Sequence, residues 1–239
     1  MRVRDIKQWL TPLRNTPLHP QWLLRGALKT EDLRKIVGIT VDIGCADQAI
    51  RRQLPDSAQY IGLDYYETAV TWYASRPDIF ADARQLPLPN ASADSALMLH
   101  VLEHLDRPGQ ALRETVRILR PGGRILIEVP FIYPLHDAPL DFRRWTKNGL
   151  TVEIERAGLQ IEEVTSVGRA TETAAVLFNL AIARMSIDWL QRRSPWLLLG
   201  PLLWLLIPLL NILGWALAPL QSKTDFMPHR VRALCRKPE

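Results

Sequence analysis

Two short segments of the chain carry the residue types that a nucleotide-like ligand needs. Val41 to Gln48 contains an apolar run, then Gly44, then the start of a helical stretch, and this order predicts a strand, a tight turn and a helix. Such a turn lets a ligand approach the backbone and the helix N-terminus closely. Tyr60 to Asp64 predicts a second strand, which ends in a carboxylate about twenty residues further on. An acid at that distance suits hydrogen bonds to ribose hydroxyls.

Four ordered motifs resemble those of class I S-adenosylmethionine-dependent methyltransferases. They are Asp42-x-Gly44-Cys45-Ala46, Gly62-Leu63-Asp64, Asp82-Ala83 and Leu119-Arg120-Pro121-Gly122-Gly123. The resemblance implies an α/β fold with a Rossmann-like, doubly wound sheet of seven strands, the last of them antiparallel, and S-adenosyl-L-methionine as the cofactor. The family usually has glycine at the position of Ala46 and often at that of Gln48, so a slightly altered approach of the cofactor is expected.

The resemblance also implies which residues contact the cofactor. Asp42 would hold the methionine part or order the turn, although a turn or capping role is the alternative. Asp64 would accept both ribose hydroxyls, and the Tyr65 ring would stack on adenine. The complete set of expected cofactor positions is Asp42, Gly44, Ala46, Asp64, Tyr65, Asp82, Ala83 and His100.

Candidate catalytic residues follow the fourth and fifth predicted strands. His104 is a candidate base because histidine titrates near neutrality, and support of its loop is the alternative. The stretch from Phe131 to Thr146 resembles a loop in methyltransferases encoded among polysaccharide and glycolipid biosynthesis enzymes. It supplies three further candidates, His136, Asp141 and Arg144. Here the arginine would clamp a carboxylate or phosphate, or an Asp–Arg network would satisfy itself beside a Thr146 helix cap.

Hydrophobic periodicity predicts alternating strands and helices. The strands are predicted at Ile39–Ile43, Tyr60–Leu63, Ile79–Phe80, Ser95–Leu99, Arg124–Val129, Ile161–Val167 and Val231–Pro238. The helices are predicted near Ala49–Leu54, Thr68–Ala74, Pro108–Leu119 and Lys147–Ala157. Such alternation favours a parallel sheet that is covered on both faces and binds ligands at the carboxyl ends of its strands.

Composition narrows the class of partner. The 239 residues carry a net charge of +5, yet the basic residues are scattered and form no aromatic-interleaved stripe, so no nucleic acid partner is predicted. The Asn-Pro-Pro-Tyr type signature of nucleobase amino-methyltransferases is absent from the sequence. Cys45 and Cys235 have no CxxC partner, so neither a disulfide nor a metal site is expected, and a reducing compartment fits. A secretory signal is not expected.

Residues 170–223 are predicted to form a membrane-associating helical insertion. Trp196–Leu220 has 25 residues and no charge, which is the length of a spanning helix, although Pro208 should kink it. Because the last strand must return to the sheet, a hairpin, re-entrant or surface-lying element is expected instead of a single span. Flanking basic residues place both ends on the cytoplasmic side of the membrane. A buried soluble helix is the alternative.

Together these patterns predict three parts and one function. The parts are an N-terminal helical cap (1–36), a methyltransferase domain (37–169 with 224–239) and the insertion (170–223). The predicted function is methylation of an amphiphilic or lipid-linked acceptor, such as a glycolipid or polysaccharide precursor. A quinone-ring methyltransferase and a non-catalytic membrane scaffold with the same fold are the alternatives.

Overall fold

Seven strands form one mixed sheet in the computed structural model, which describes residues 11–25, 28, 30–222 and 225–239. The strands are β1 (Gly38–Ile43), β2 (Ala58–Asp64), β3 (Ile79–Phe80), β4 (Ala93–Leu99), β5 (Leu119–Pro130), β6 (Gln160–Val167) and β7 (Arg230–Arg236), in the order β3-β2-β1-β4-β5-β7-β6. The pairs β1–β2, β1–β4, β2–β3 and β4–β5 are parallel, and β7 runs antiparallel to β5. The predicted Rossmann-like sheet with an antiparallel last strand is confirmed.

The described α-helices are α1 (Thr30–Arg34), α2 (Pro108–Ile118), α3 (Lys147–Arg156), α4 (Ala170–Gln191) and α5 (Gly200–Leu217). The structure departs from the predicted helices in three places. Ala49–Gln53 is a 3-10 helix and follows the left-handed residue Gln48. Thr68–Tyr73 is a π-helix, rich in β-branched and aromatic residues that favour α-helix poorly. The helix predicted at Pro108–Leu119 ends at Ile118, and the strand predicted to start at Arg124 already starts at Leu119, which pairs with Ala93 of β4.

Apolar side chains cover both faces of the sheet. Met98, Ile125 and Ile127 pack on one side, and Leu97 and Leu126 pack on the other. All five are fully buried. This alternation is expected for central strands with helices on both faces. The packed core holds the strands in place, and with them the residues at their carboxyl ends.

The chain divides into two compact units. The sheet unit comprises residues 28–131, 135–166 and 230–239, and the helical unit comprises the described residues of 1–27, 132–134 and 167–229. The three-part division made from the sequence stays a prediction. Residues 1–10 of its helical cap lie outside the described residues, whereas Thr11–Asn15 and Trp22–Leu24 are short 3-10 helices.

Helices α4 and α5 form an antiparallel hairpin in the helical unit. Near its base, Arg169 Nη1 donates to the carbonyl oxygen of Gln221 at 3.0 Å. Nearer the turn, Trp204 Nε1 donates to Ser186 Oγ at 3.0 Å. Helix α5 continues through Pro208. By length and composition alone, Ala170–Gln191 and Pro195–Leu220 are long and apolar enough to cross a membrane.

The hairpin buries a pair of asparagines and exposes many apolar side chains. Asn179 and Asn211 are fully buried, and Nδ2 of the first donates to Oδ1 of the second at 2.9 Å. The Asn211 Nδ2 also donates to the carbonyl oxygens of Pro17 and His19, at 2.6 and 3.0 Å. The outer surface carries apolar side chains that are half or more exposed, including Leu198, Leu202, Leu205, Leu209, Leu213 and Trp215. An apolar outer surface of this extent is unusual for a helix pair in water.

Candidate cofactor and acceptor site

A cavity of about 490 Å³ lies at the carboxyl ends of β1, β2 and β4. Ligands of parallel sheets bind at these ends, and the volume suits a small organic ligand. The predicted site residues that line it are Gly44, Asp64, Tyr65, Asp82, Ala83, His100 and His104. Asp42, Ala46, His136, Asp141 and Arg144 are not part of its lining.

A second cavity, of about 600 Å³, is larger but lies at the other ends of the strands. Ile39 and Ala58, near the starts of β1 and β2, are among its lining residues. Because open parallel sheets bind ligands at the carboxyl ends, we assign the ligand to the smaller cavity.

The turn after β1 keeps a glycine-type backbone although two of its glycines are missing. Gly44 has a φ of +76°, and a Cβ there would lie 2.4 Å from Val101 Cγ2, so only glycine fits. Ala46 and Gln48 also adopt positive φ angles, of 47° and 58°. The backbone N–H of Ala46 donates to Asp64 Oδ2 at 2.7 Å, which holds the turn in this conformation.

Asp64 stands at the end of β2 with most of its acceptor capacity in use. Its Oδ1 accepts the backbone N–H of Tyr65 at 2.7 Å and the Thr68 hydroxyl at 2.8 Å, and its Oδ2 accepts Ala46. A carboxylate offers about four acceptor positions, so one remains on Oδ2. Accepting both ribose hydroxyls, as the sequence predicted, therefore requires Thr68 to release its bond.

Asp42 is buried beneath the turn and accepts the Tyr60 hydroxyl at Oδ2, at 2.7 Å. Burial raises the pKa of this carboxyl to about 7 and outweighs the hydrogen bond from Tyr60, which lowers it. The neighbouring Cys45 is buried as well, and burial raises the pKa of its thiol to about 12. Tyr60 was not among the predicted site residues.

The raised pKa of Asp42 predicts a pH-dependent loss of stability. An unfolded Asp42 releases its proton near pH 4, whereas the folded one keeps it to about pH 7. Folding therefore takes up a proton between these values, and the free energy of unfolding falls as the pH rises through this window. The loss is on the order of 4 kcal/mol, since one pKa unit corresponds to about 1.36 kcal/mol.

Asp42→Asn should remove this slope, because the amide oxygen still accepts from Tyr60 but does not titrate. Denaturant unfolding at roughly half-unit steps from about pH 4.5 to about pH 8 measures this slope. We expect the variant to gain stability over the wild type as the pH rises. Parallel pH profiles for the two proteins would contradict this role of Asp42.

Asp82 is engaged by a neighbouring arginine at the cavity wall. Arg84 donates from Nε to Asp82 Oδ1 at 3.0 Å and from Nη2 to Oδ2 at 2.7 Å. This pairing lowers the pKa of Asp82. Arg84 also pairs with Asp106. The contact with the adenine amine that the resemblance implied would have to share this carboxylate with Arg84.

His100 adopts a positive φ of 59° just after β4, between two carboxylates. Its Nδ1 lies 3.5 Å from Glu103 Oε1, and its Nε2 lies 3.2 Å from Glu128 Oε1. Burial lowers the pKa of His100, but these carboxylates outweigh it and raise the pKa to about 9. Arg232 on β7 pairs in turn with Glu128, at 2.6 Å.

Glu128 was missed by the sequence reasoning. The available signal was a lone acid inside the apolar run of β5, where a buried charge needs a partner. Its partners, Arg230 and Arg232, lie about a hundred residues away on the antiparallel last strand. Only the pairing of β5 with β7 reveals the contact.

The loop after β5 brings three of the four catalytic candidates together. Asp141 is fully buried at its side chain and binds Arg144 bidentately, at 2.6 and 2.7 Å. Its Oδ2 also accepts the backbone N–H of His136 at 2.8 Å. Burial raises the pKa of Asp141, but Arg144 and His136 outweigh it and hold the pKa at about 2. The Thr146 hydroxyl caps α3, as the alternative from the sequence had it.

The same loop lies against the segment that follows β4. The rings of His104 and His136 meet edge to face, with centroids 5.0 Å apart. The backbone N–H of Phe142 donates to the carbonyl oxygen of Glu103 at 2.9 Å. The two histidines predicted to act on the acceptor therefore share one site, whereas Arg144 is already paired with Asp141.

The sheet has the Rossmann-like fold that class I methyltransferases share. Residues 41–127 match the family model described as "Methyltransferase domain". A solved structure described as the [4+2]-cyclase SpnF has the same fold, with a TM-score of 0.56 and 23% identity over 87% of this chain and 79% of that one.

Several curated relatives are methyltransferases by name, and some are named for S-adenosylmethionine. A "probable S-adenosylmethionine-dependent methyltransferase" of Mycolicibacterium smegmatis is 34% identical over 138 residues, which are 53% of this chain and 54% of the relative. The 27-O-demethylrifamycin SV methyltransferase of Amycolatopsis mediterranei is 32% identical over 99 residues, 36% of each chain. The chain thus spans about half and about a third of the lengths of these relatives.

Proposed function

We propose that this protein transfers a methyl group from S-adenosylmethionine to an oxygen of an amphiphilic acceptor at a membrane surface. Its cofactor part is supported by the cavity at the strand ends, by Asp64 with one acceptor position left, and by the match of residues 41–127 to the methyltransferase family. The cofactor supplies an electrophilic methyl on a sulfonium. The protein's share is to align the acceptor with that methyl.

The residue roles follow the contacts. We assign the cofactor to Gly44, Asp64, Tyr65, Asp82, Ala83 and His100, with Asp42 and Ala46 supporting the turn. His104 lines the cavity and faces the acceptor side. Asp141 and Arg144 act on each other and on the ring of His136, so we assign them to the positioning of that ring.

The nature of the acceptor rests on the hairpin. The pair Asn179–Asn211 lies between α4 and α5, and the outer surface of α5 is apolar, as in helices that contact lipid. Arg192 and Arg193 lie at the turn between the two helices. A charged turn favours a hairpin along the interface over one that spans the bilayer. An enzyme held there meets acceptors that carry a lipid tail.

Two further observations support the oxygen acceptor and the location. The rifamycin relative is named for a methyl group on oxygen. Both cysteines of the chain are free and buried, which suits the reducing cytoplasmic side of the membrane.

Methyl-labelled S-adenosylmethionine tests the proposal. The protein in vesicles is incubated with the label and a total lipid extract, and the mixture is partitioned between water and an organic solvent. We expect label in an organic-soluble product, released as methanol or methyl iodide by ether cleavage. Label only in water-soluble products would contradict the lipid acceptor, and a labelled quinone would favour the ring methyltransferase alternative.

A further inference from the structure

Three side chains that can bind a metal meet around His104, and the sequence predicted no metal there. Glu103 and His104 belong to the 3-10 helix Leu102–His104 after β4, and His136 belongs to the loop after β5. One ligand atom from each lies within 4.8 Å of the other two. His104 also lines the cavity.

Glu103 is the residue that most favours a bound cation. Its side chain is fully buried, and neither carboxylate oxygen has a hydrogen-bond partner. The nearest cationic group is the His100 ring, whose Nδ1 lies 3.5 Å from Glu103 Oε1 and which is shared with Glu128. His104 Nε2 lies 3.9 Å from the same oxygen. A buried carboxylate without hydrogen bonds is costly, and buried charges are as a rule paired or bound to a metal.

The His104 ring is oriented as in metal-binding histidines. Its Nδ1 lies 2.9 Å from the carbonyl oxygen of Leu140. An Nδ1–H that donates to a carbonyl leaves the Nε2 lone pair for a metal, and such partners are usual around metal-bound histidines. His136 Nδ1 lies 3.1 Å from Asp141 Oδ2 and 3.2 Å from Arg144 Nη2. Binding of a metal through the other nitrogen of His136 requires its Nδ1–H to donate to Asp141 and not to accept from Arg144.

We propose that Glu103, His104 and His136 bind one divalent transition-metal ion of the manganese-to-zinc series. Atoms within 4.8 Å of one another have a common point no more than about 2.8 Å from each of them. Metal bonds to nitrogen and oxygen measure about 2.0–2.2 Å, so side-chain shifts below 1 Å complete the site. Two imidazoles and a carboxylate suit such ions and leave coordination positions open.

The role of the ion rests on the proposed methyl transfer, whereas its binding does not. An acceptor hydroxyl at an open position would become more acidic, as metal-bound water does. Its O–H bond breaks and the proton leaves to solvent, the oxygen takes the methyl, and the sulfur keeps the electron pair of the broken S–CH₃ bond. The two histidines then hold the ion and do not accept the proton.

Titration of the metal-stripped protein with Zn²⁺ tests the site, and Co²⁺ serves as a spectroscopic probe. We expect one equivalent to bind, with visible Co²⁺ absorption typical of nitrogen and oxygen ligands. Glu103→Gln, His104→Ala and His136→Ala should each weaken binding on the order of 100-fold or more. Asp141→Asn, which touches no metal, should weaken it about 10–100-fold. His19→Ala removes an imidazole elsewhere and should leave it unchanged.

Binding of S-adenosylhomocysteine to each variant reports folding and the cofactor site separately from the metal. No Zn²⁺ binding by a wild-type protein that binds this ligand would overturn the metal site, as would variants that bind Zn²⁺ as well as His19→Ala does. If a histidine variant does not fold, the near-isosteric Glu103→Gln and the wild-type Co²⁺ spectrum decide. A wild-type protein that binds Zn²⁺ but not S-adenosylhomocysteine would contradict the proposed function and support the metal site.

Discussion

The double variant Leu205→Asp/Leu209→Asp should no longer bind the membrane but should keep its fold. Both leucines lie on the outer surface of α5, with 69% and 60% of their surface exposed, so they contribute little to packing in water. If lipid covers these leucines, each substitution removes the burial of a leucine side chain, worth about 1.5–3 kcal/mol, and adds a charge. The membrane-bound fraction should fall on the order of 100-fold or more, since each 1.4 kcal/mol is about tenfold.

Flotation of the protein with vesicles measures this effect. Val152→Asp is the matched control, because Val152 is an exposed apolar residue on α3 of the sheet unit. Anionic lipid should strengthen binding of the wild type through Arg192, Arg193 and other basic residues. Equal flotation of the Leu205/Leu209 variant, the Val152 variant and the wild type would contradict a lipid-covered hairpin. Point changes are sharper than deletion of the hairpin, which would also uncover residues 17–23 that pack on it.

The sheet and the position of Asp64 at its carboxyl edge could be predicted because their signals are local. Apolar runs such as that of β1 mark a buried strand, and a strand that ends in Asp64 marks the carboxyl edge of the sheet. The helical segments after β1 and β2 were harder. Gln48 and Ala46 adopt the left-handed conformation although neither is glycine, since the hydrogen bond from Ala46 to Asp64 compensates the strain.

The acceptor side of the site depends on contacts between distant segments. His136 follows Glu103 by more than thirty residues, and only the parallel pairing of β4 and β5 brings the loops after these strands together. The sequence therefore offered each histidine as a separate acid–base candidate and did not suggest a shared metal. Likewise, Asn179 and Asn211 interrupt two apolar segments, and their hydrogen bond inside the hairpin is visible only in the tertiary structure.

Asp64 should be the residue whose loss most weakens cofactor binding. Asp64→Ala would leave ribose hydroxyls and the N–H groups of Ala46 and Tyr65 without their acceptor. A polar group left unpaired costs about 1–3 kcal/mol, which corresponds to a roughly 5- to 150-fold weaker affinity. Thr68→Ala should do the opposite, because it frees a second acceptor position on the carboxylate. Asp56→Ala, at an exposed aspartate before β2, is the matched control.

Calorimetric titration of S-adenosylmethionine into the wild type and these variants tests the proposed cofactor site most directly. We expect one molecule to bind the wild type and Asp56→Ala alike, Thr68→Ala to bind at least as tightly, and Asp64→Ala to bind many-fold more weakly while its far-ultraviolet spectrum stays unchanged. A folded wild-type protein that does not bind the cofactor, or an Asp64→Ala variant that binds it as the wild type does, would contradict a cofactor held at the end of β2.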